Sequence, residues 1–126
     1  MSSLNDLRVV DLTGHLAEAA GRVFADLGAE VIKVEQPEIG DGARHNPPNY
    51  ETTSAYFHSV NRNKRDIALD LSKPEGQAVA HRLIAEADVV LESYRVGVTK
   101  KLGIDYETAK KLNERLVYCS ITGFGQ

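Results

Sequence analysis

Arg62, Lys64, Arg65, Lys73, Arg95, Lys100 and Lys101 are the residues whose type and spacing point first to chemistry. Guanidinium and ammonium groups gathered in one place can hold a phosphate-bearing small molecule, by charge and by donated hydrogen bonds. The same residues also suit a solvated, lysine-rich face with no ligand, and the pattern alone leaves both readings open. The chain as a whole carries a formal net charge of −3 over its 126 residues. Nucleic-acid binding needs a broadly basic surface, so a local cluster in an acidic chain points to a small anion, not to DNA or RNA.

Other reactive groups are sparse. His15, His45, His58 and His81 show no ligand spacing with one another or with Cys119, so no metal is expected. Cys119 lies in an apolar run and reads as a core residue before it reads as a nucleophile. As the single cysteine, it allows no internal disulfide and fits a reducing, cytoplasmic setting. Met1 to Asp6 is polar and lacks a signal-peptide core, and no apolar run approaches the roughly 20 residues of a membrane span. There is no Walker A motif, and Thr13-Gly14-His15-Leu16-Ala17-Glu18 is not G-x-G-x-x-G. Glu35 stands where an acid holds ribose in dinucleotide-binding folds, but without the glycines.

The side chains need a scaffold, and the apolar pattern supplies one. Arg8-Val9-Val10-Asp11-Leu12 predicts a buried strand. Leu16, Ala20, Val23, Phe24 and Leu27 recur at helical spacing, predicting a helix over 17–27 that ends at Gly28. Glu30 to Glu35 predicts a second strand, parallel to the first in a βαβ unit. Gln36 to Thr53 is rich in glycine, proline, asparagine and charge, a long connection of the kind that often carries function. A short helix over 54–61 and a third strand over 67–71 follow. Ser72, Pro74 and Glu75 then read as a capped helix start. That helix runs to about Glu86 and buries Val79, Leu83 and Ile84, with His81 on its surface. A fourth strand covers 89–92, and one or two helical turns over 98–102 close at Gly103. Asp105 caps a helix over 106–112, and a fifth strand covers 116–121.

Strands alternating with helices mean an α/β fold, a Rossmann-like parallel sheet with flanking helices, in one region spanning 1–126. The fifth strand leads into Gly123-Phe124-Gly125-Gln126 with no helix after it, so the expectation is an incomplete N-terminal part of a larger domain. Parallel sheets bind ligands at the carboxyl ends of their strands. Here those ends are Thr13-Gly14-His15, Glu35-Gln36, Asp70-Leu71-Ser72, Ser93-Tyr94-Arg95 and Thr122-Gly123, with the cations expected around them. Tyr94 suits stacking on a base and packing on the sheet edge equally well.

In order along the chain stand Val10-Asp11-Leu12-Thr13; Ala25-Asp26-Leu27-Gly28-Ala29-Glu30-Val31-Ile32-Lys33-Val34-Glu35; Asn61-Arg62-Asn63-Lys64-Arg65 before Ile67-Ala68-Leu69-Asp70-Leu71; Pro74-Glu75-Gly76; Ala87-Asp88-Val89-Val90 before Tyr94-Arg95; Leu102-Gly103-Ile104; and Arg115 to Gln126. In this order and spacing the sequence resembles the class III CoA-transferases, over essentially its whole length. The resemblance implies a CoA-binding large domain of which this is the N-terminal part. It carries CoA contacts to His15, Leu16, Gln36, Leu69, Asp70, Leu71, Ser72, Ser93, Tyr94, Arg95 and Lys101. Tyr94 would lie near the adenine, and Arg95 and Lys101 near the phosphates. It further implies acyl-CoA and a carboxylate as substrates, and a homodimer or a complementary C-terminal chain as partner. The family's catalytic aspartate would lie beyond Gln126, so no catalytic residue is assigned.

The sequence departs from the family pattern in four places. Gln36 replaces an arginine of some relatives, Ser93 an asparagine and Val96 a proline, and Leu16 to Ala19 lacks the usual Gly-Pro. The acyl-CoA racemase branch shares this half of the family, and a non-catalytic CoA-binding or structural fragment fits the same residues. A receiver-like signalling module fits the length but lacks clustered acids after strand one and a lysine after strand five.

Overall fold

The computed structural model describes residues 3–125, with the side chain of Leu16 outside that description. The elements run β1 (Arg8–Leu12), α1 (Glu18–Asp26), β2 (Glu30–Glu35), β3 (Asn49–Tyr50), β4 (Thr53–Ser54), α2 (Ala55–Asn61), β5 (Arg65–Ala68), α3 (Pro74–Ala85), β6 (Val89–Glu92), α4 (Val98–Lys101), α5 (Tyr106–Leu112) and β7 (Val117–Ser120). Short 3₁₀ turns at His15–Ala17 and Gly42–His45 flank the site described below.

Five strands form a parallel sheet in the order β5-β2-β1-β6-β7. The chain builds outward from β1 on one side, then crosses through α3 to start again at β6 on the other. That reversal opens a crevice between the carboxyl ends of β1 and β6, where open α/β sheets receive ligands. β3 and β4 form a separate antiparallel pair within the 36–54 connection.

Alternation along the strands divides the core. Val10, Leu12, Val34 and Val90 pack with Ala80 and Ile84 of α3, with Ala109 of α5 and with Ile104. Val9, Val31, Val89 and Leu91 point the other way, against Ala25 and Ala29, on the side where α1 and α2 pack together. Sequence-local devices set the helix starts. The Asp105 carboxylate accepts the Thr108 amide at the head of α5, and the Ser54 hydroxyl accepts that of Phe57 at the head of α2.

β1, β2, β6 and α5 have the limits the pattern predicts. Other expectations need correction. The third strand is Arg65–Ala68, two residues early, because its register on β2 pairs Arg65 with Ile32 and Ala68 with Glu35. An edge strand tolerates the polar Arg65 and Asp66. The apolar Leu71 is instead buried in the turn that follows. Ser72 does not cap α3: Lys73 holds that position without a side-chain bond, and the Ser72 hydroxyl donates to Asp70. Val23 and Leu27 are about half exposed, at 50% and 44%. His81 is not a free surface residue, since its Nε2–H donates to the Gly103 carbonyl at 2.6 Å.

Candidate functional site

The crevice begins with a pair of loops tied to each other. The Gly14 amide donates to Ser93 Oγ at 2.9 Å, and the Ser93 hydroxyl lies 3.3 Å from the Gly14 carbonyl. This joins the turn after β1 to the turn after β6 at the switch point. Tyr94 follows, its amide donating at 2.8 Å to the buried Glu92 carboxylate. The Tyr94 ring is half buried against the apolar core.

Three compartments meet at Tyr94. The largest, about 870 Å³, lies over β1, β6 and β7 and is lined by His15, Ser93, Arg95, Val96, Ile121 and Phe124 among others. A second, about 360 Å³, lies between the turn after β1 and the loop after β2, with His15, Gln36, Gly40, Asp41 and Gly42 in its wall. A third, about 250 Å³, is lined by Gln36, Leu69, Asp70, Leu71, Ser72 and Leu102. Tyr94 lines all three.

His15, Gln36, Leu69, Asp70, Leu71, Ser72, Ser93, Tyr94 and Arg95 therefore all line this connected crevice. The Leu16 side chain lies outside the described residues. Lys101 lies exposed on α4, next to Leu102 of the third compartment, and lines none of the three. The turn at Asp70 is held locally: its carboxylate accepts the Ser72 amide at 3.0 Å and the Ser72 hydroxyl. Those hydrogen bonds hold Asp70 below the ordinary carboxylate range. Gly76 lets α3 start hard against this turn, because a β-carbon there would stand 2.1 Å from the Asp70 carbonyl oxygen.

The expected cation cluster divides. Arg95 lines the first compartment, Lys73 pairs with Asp70 of the third, and Lys100 and Lys101 stand exposed on α4. Arg62 and Arg65 lie elsewhere: they pair with Asp26 at the end of α1 and Glu30 at the start of β2, at the amino ends of the strands. Lys64 is buried under α1, paired with Asp11 at 2.7 Å. Arg62 and Arg65 stand at the start of β5, at the end of the sheet opposite to residues that follow a strand, while the long Lys64 side chain reaches inward from there to Asp11 and the Glu18 carbonyl.

Beneath the second compartment lies a buried ionic frame. Lys33 Nζ donates to the Thr13 carbonyl at 3.0 Å, Glu18 Oε1 at 3.2 Å and Asp41 Oδ2 at 2.6 Å. Lys64 Nζ donates to Asp11 Oδ2 at 2.7 Å, the Glu18 carbonyl at 2.9 Å and Asn61 Oδ1 at 2.8 Å. Asp11 also accepts the Thr13 amide and hydroxyl. Glu35 accepts the Asp41 amide and a two-nitrogen fork from Arg44. Gly21 lets α1 cover this frame, because a β-carbon there would meet Asp11 Oδ2 at 2.2 Å.

Burial sets the protonation pattern. Glu18 is pushed up to about 7, first by burial and then by its hydrogen bond to Asp41, while Asn61 and Lys33 pull the other way. Asp41 is held down to about 2, burial being outweighed by Glu18, Lys33 and the Ala43 amide. Burial opposes the charge on Lys33, but Asp11, Asp41 and Glu18 together raise its pKa above that of an ordinary lysine. Burial wins at Lys64 and lowers it.

Residues 4–126 match the family described as CoA-transferase family III. The chain belongs to CoA-transferase family III. It is 48% identical to succinate–glutarate CoA-transferase of Agrobacterium fabrum, over 98% of this chain and 33% of that protein. It is 44% identical to succinyl-CoA:glutarate CoA-transferase of Mus musculus, over 100% of this chain and 29% of that protein. Among solved structures it superposes with a CAIB/BAIF family protein of Brucella suis at a TM-score of 0.91 and 47% identity, covering 98% of this chain and 34% of that one. A hypothetical protein of Mycobacterium tuberculosis superposes equally well, with a TM-score of 0.91 at 39% identity, covering 99% and 35%. The chain thus spans about a third of the length of the curated relatives it matches.

In this CoA-transferase family III chain the sequence reading missed the ionic frame. It also missed Gly40, Asp41 and Gly42 in the second compartment, and Ile121 and Phe124 in the first. One signal was available. Glu30-Val31-Ile32-Lys33-Val34-Glu35 places Val31, Lys33 and Glu35 on one face of a strand buried on both sides, and a buried lysine there requires partners. Among the described residues no helix is long and apolar enough to cross a membrane.

Proposed function

We propose that this chain is the CoA-binding portion of an acyl-CoA:carboxylate CoA-transferase, and that the crevice around Tyr94 receives CoA. The observation that carries the reading is the connected set of compartments at the β1/β6 switch point, walled by Tyr94 and lined by Arg95, with Lys100 and Lys101 on α4 just before Leu102 of the third. The relatives' names point the same way. Glutarate and mesaconate are different carboxylates, yet the proteins named for them remain 48% and 44% identical to this chain. What both names share is CoA, with succinate or its thioester as the other substrate.

His15, Leu16, Gln36, Leu69 to Ser72, Ser93 to Arg95 and Lys101 are the proposed contacts, with the adenine against Tyr94 and the phosphates toward Arg95 and Lys101. The reaction proposed is covalent catalysis by a carboxylate outside these 126 residues. The carboxylate oxygen bonds to the thioester carbonyl carbon, the carbon–sulfur bond breaks, and a mixed anhydride and CoA thiolate form. The thiolate then attacks the anhydride's enzyme-side carbonyl, giving an enzyme–CoA thioester and the free first acid. The acceptor carboxylate reverses the two steps. CoA must stay in place while it is a free thiolate, and a crevice that holds it converts its return into an intramolecular event. A second copy of the chain or a complementary chain completes the assembly in this reading.

Calorimetric titration of the folded chain with CoA tests the proposal. Saturable binding is expected. Tyr94→Ala should weaken it about tenfold, the range for losing one base–aromatic stack. Lys101→Ala should weaken it about threefold, as for a rim charge near phosphate. A folded chain that gives no saturable heat, or binding indifferent to both substitutions, would overturn the assignment.

A further inference from the structure

The two loops that wall the second compartment, residues 13–17 after β1 and 36–45 after β2, share no backbone hydrogen bond among the described residues. They meet through side chains. Lys33, on β2 between them, holds the Thr13 carbonyl of one loop and the Asp41 carboxylate of the other. Glu18, at the head of α1, accepts from the same ammonium, which sets its carboxylate beside that of Asp41. Above them the His15 ring lies against Gly42, where a β-carbon would stand 3.4 Å from His15 Nδ1.

The proton count at this junction is closed. The Lys33 ammonium has three oxygen partners, the Thr13 carbonyl and the carboxylates of Glu18 and Asp41, and that of Lys64 has three, the Asp11 carboxylate, the Glu18 backbone carbonyl and Asn61 Oδ1. Glu18 Oε1 also receives Asn61 Nδ2 at 3.0 Å. Glu18 Oε2 is buried and receives no donor. Two lysines face three carboxylates, those of Asp11, Glu18 and Asp41, so one proton more is needed for neutrality. A proton on Glu18, donated to Asp41, satisfies the orphaned oxygen and balances the charge at once.

We infer that Lys33, Glu18 and Asp41 are positioning residues that latch the two loops together, and that the latch closes on a single shared proton. When Glu18 loses that proton, two carboxylates face each other with only the Lys33 ammonium to bridge them, and the loops gain freedom to part. The groups facing Glu18 from each packed element are Lys33 of β2, Asp41 of the loop after β2, Asn61 of α2 and Lys64 beyond it. Asp11 of β1 acts on both lysines. The rise of Glu18 toward neutral pH fits the same arrangement. Only the effect on ligand affinity rests on the CoA reading; the coupling of the loops stands without it.

Amide hydrogen exchange by NMR on the full 126-residue chain, corrected for the intrinsic rate, tests the latch. The reporters are the amides of Thr13, Asp41 and Ala43, each bonded to a side chain of the frame. With Glu18 at about 7 when closed and at its ordinary value when open, protection of all three should fall together by roughly 30-fold between pH 5 and pH 7, then level off. Val90 and Ala80 in the core should hold. Glu18→Gln, which keeps a donor toward Asp41 at every pH, should remove the pH dependence. Lys33→Met should open both loops at pH 5. If the reporters respond separately, or if Glu18→Gln keeps the wild-type pH profile, the latch is wrong. Should Lys33→Met fail to fold, the Glu18→Gln comparison decides alone. Calorimetry with CoA then separates the two ideas. Coupled loops with no CoA binding would sink the ligand reading and leave the latch, and CoA binding with uncoupled loops would do the reverse.

Discussion

On the side of the sheet covered by α3 and α5, Val10, Leu12, Val34 and Val90 meet Ala80, Ile84, Ile104 and Ala109. On the side covered by α1 and α2, the neighbouring positions of the same strands are Asp11, Lys33 and Glu35, all at most 6% exposed. The apolar face can be filled by any side chains of suitable volume, and it secures stability without specifying where loops lie. The ionic face is a costly way to fill space, because each charge must be desolvated and then matched. What it provides is direction. Lys33 and Lys64 each have three oxygen partners; Thr13 and Asp41 belong to the loops that wall the crevice, and Asp11, Glu18 and Asn61 belong to β1, α1 and α2 beneath them. The charged half sits at the carboxyl ends of β1 and β2, while the amino ends on the same face are apolar, with Val9, Val31 and Val89. The ionic construction is thus confined to the functional end.

The contrast can be broken most severely at Lys64. Lys64→Met leaves Asp11 buried without its ion partner and should cost about 3–5 kcal/mol in urea unfolding. Adding Asp11→Asn, which removes the stranded charge, should return about half of the loss. If the single substitution costs under about 1 kcal/mol, the frame is not desolvated as described. Next comes the apolar face. Ile84→Ala should cost about 2–4 kcal/mol by leaving a cavity, with CoA affinity changed less than about twofold, because Ile84 lines none of the three compartments. An equal loss of affinity would show that the faces are not separable.

Acidity gives a smaller effect with a defined sign. Glu18 has a higher pKa folded, about 7, than its ordinary 4.5. Its contribution is therefore complete below about pH 4.5 and drains away as pH rises to about 7, a loss of up to about 3 kcal/mol. Asp41, held near 2, has the opposite sense, and its contribution is lost as pH falls toward 2. Urea midpoints should fall from pH 5 to pH 7 in the wild-type chain and stay level in Glu18→Gln. The smallest effect belongs to Arg62→Ala. Its pair with Asp26 is solvent-exposed at the amino end of the sheet, so melting temperature and CoA binding should both be unchanged within error. A clear loss of CoA binding would return Arg62 to the ligand site, where sequence spacing first placed it.

Much of this fold could be read from the residues, because apolar alternation and caps are local signals. Val9 and Val10 announce β1, and Asp105 with Thr108 announces α5. The limits of β5 could not be read, since they are set by pairing with β2, a partner about 30 residues away (Ile32 with Arg65). Apolar Leu69 and Leu71 drew the expectation toward the turn instead. At the crevice, the loops after β1, β2 and β6 follow from the general rule for parallel sheets, and the family resemblance picks residues within them. The division of the cations was hidden for a directional reason: Arg62 and Lys64 precede a strand and Arg95 follows one, and charge alone does not record that. The ionic frame was hidden because Asp11, Glu18, Lys33, Asp41 and Lys64 are scattered over more than 50 positions (|i−j| of 53 for Asp11 and Lys64). Only Lys33, within an otherwise apolar strand, hinted at it.

The strand order carries a consequence for the birth of the protein. β1 is made first, but its second edge pairs with β6, Val9 opposite Val89, a separation of 80 positions. At roughly 5–20 residues per second of synthesis, that edge waits roughly 4 to 16 seconds for its partner. During that interval β1, β2 and β5 can assemble only as a half-sheet, with one apolar margin open to any other nascent strand. Crowded ribosomes on one message would place identical open margins side by side, so yield in the cell depends on translation speed between β5 and β6 as well as on the finished fold.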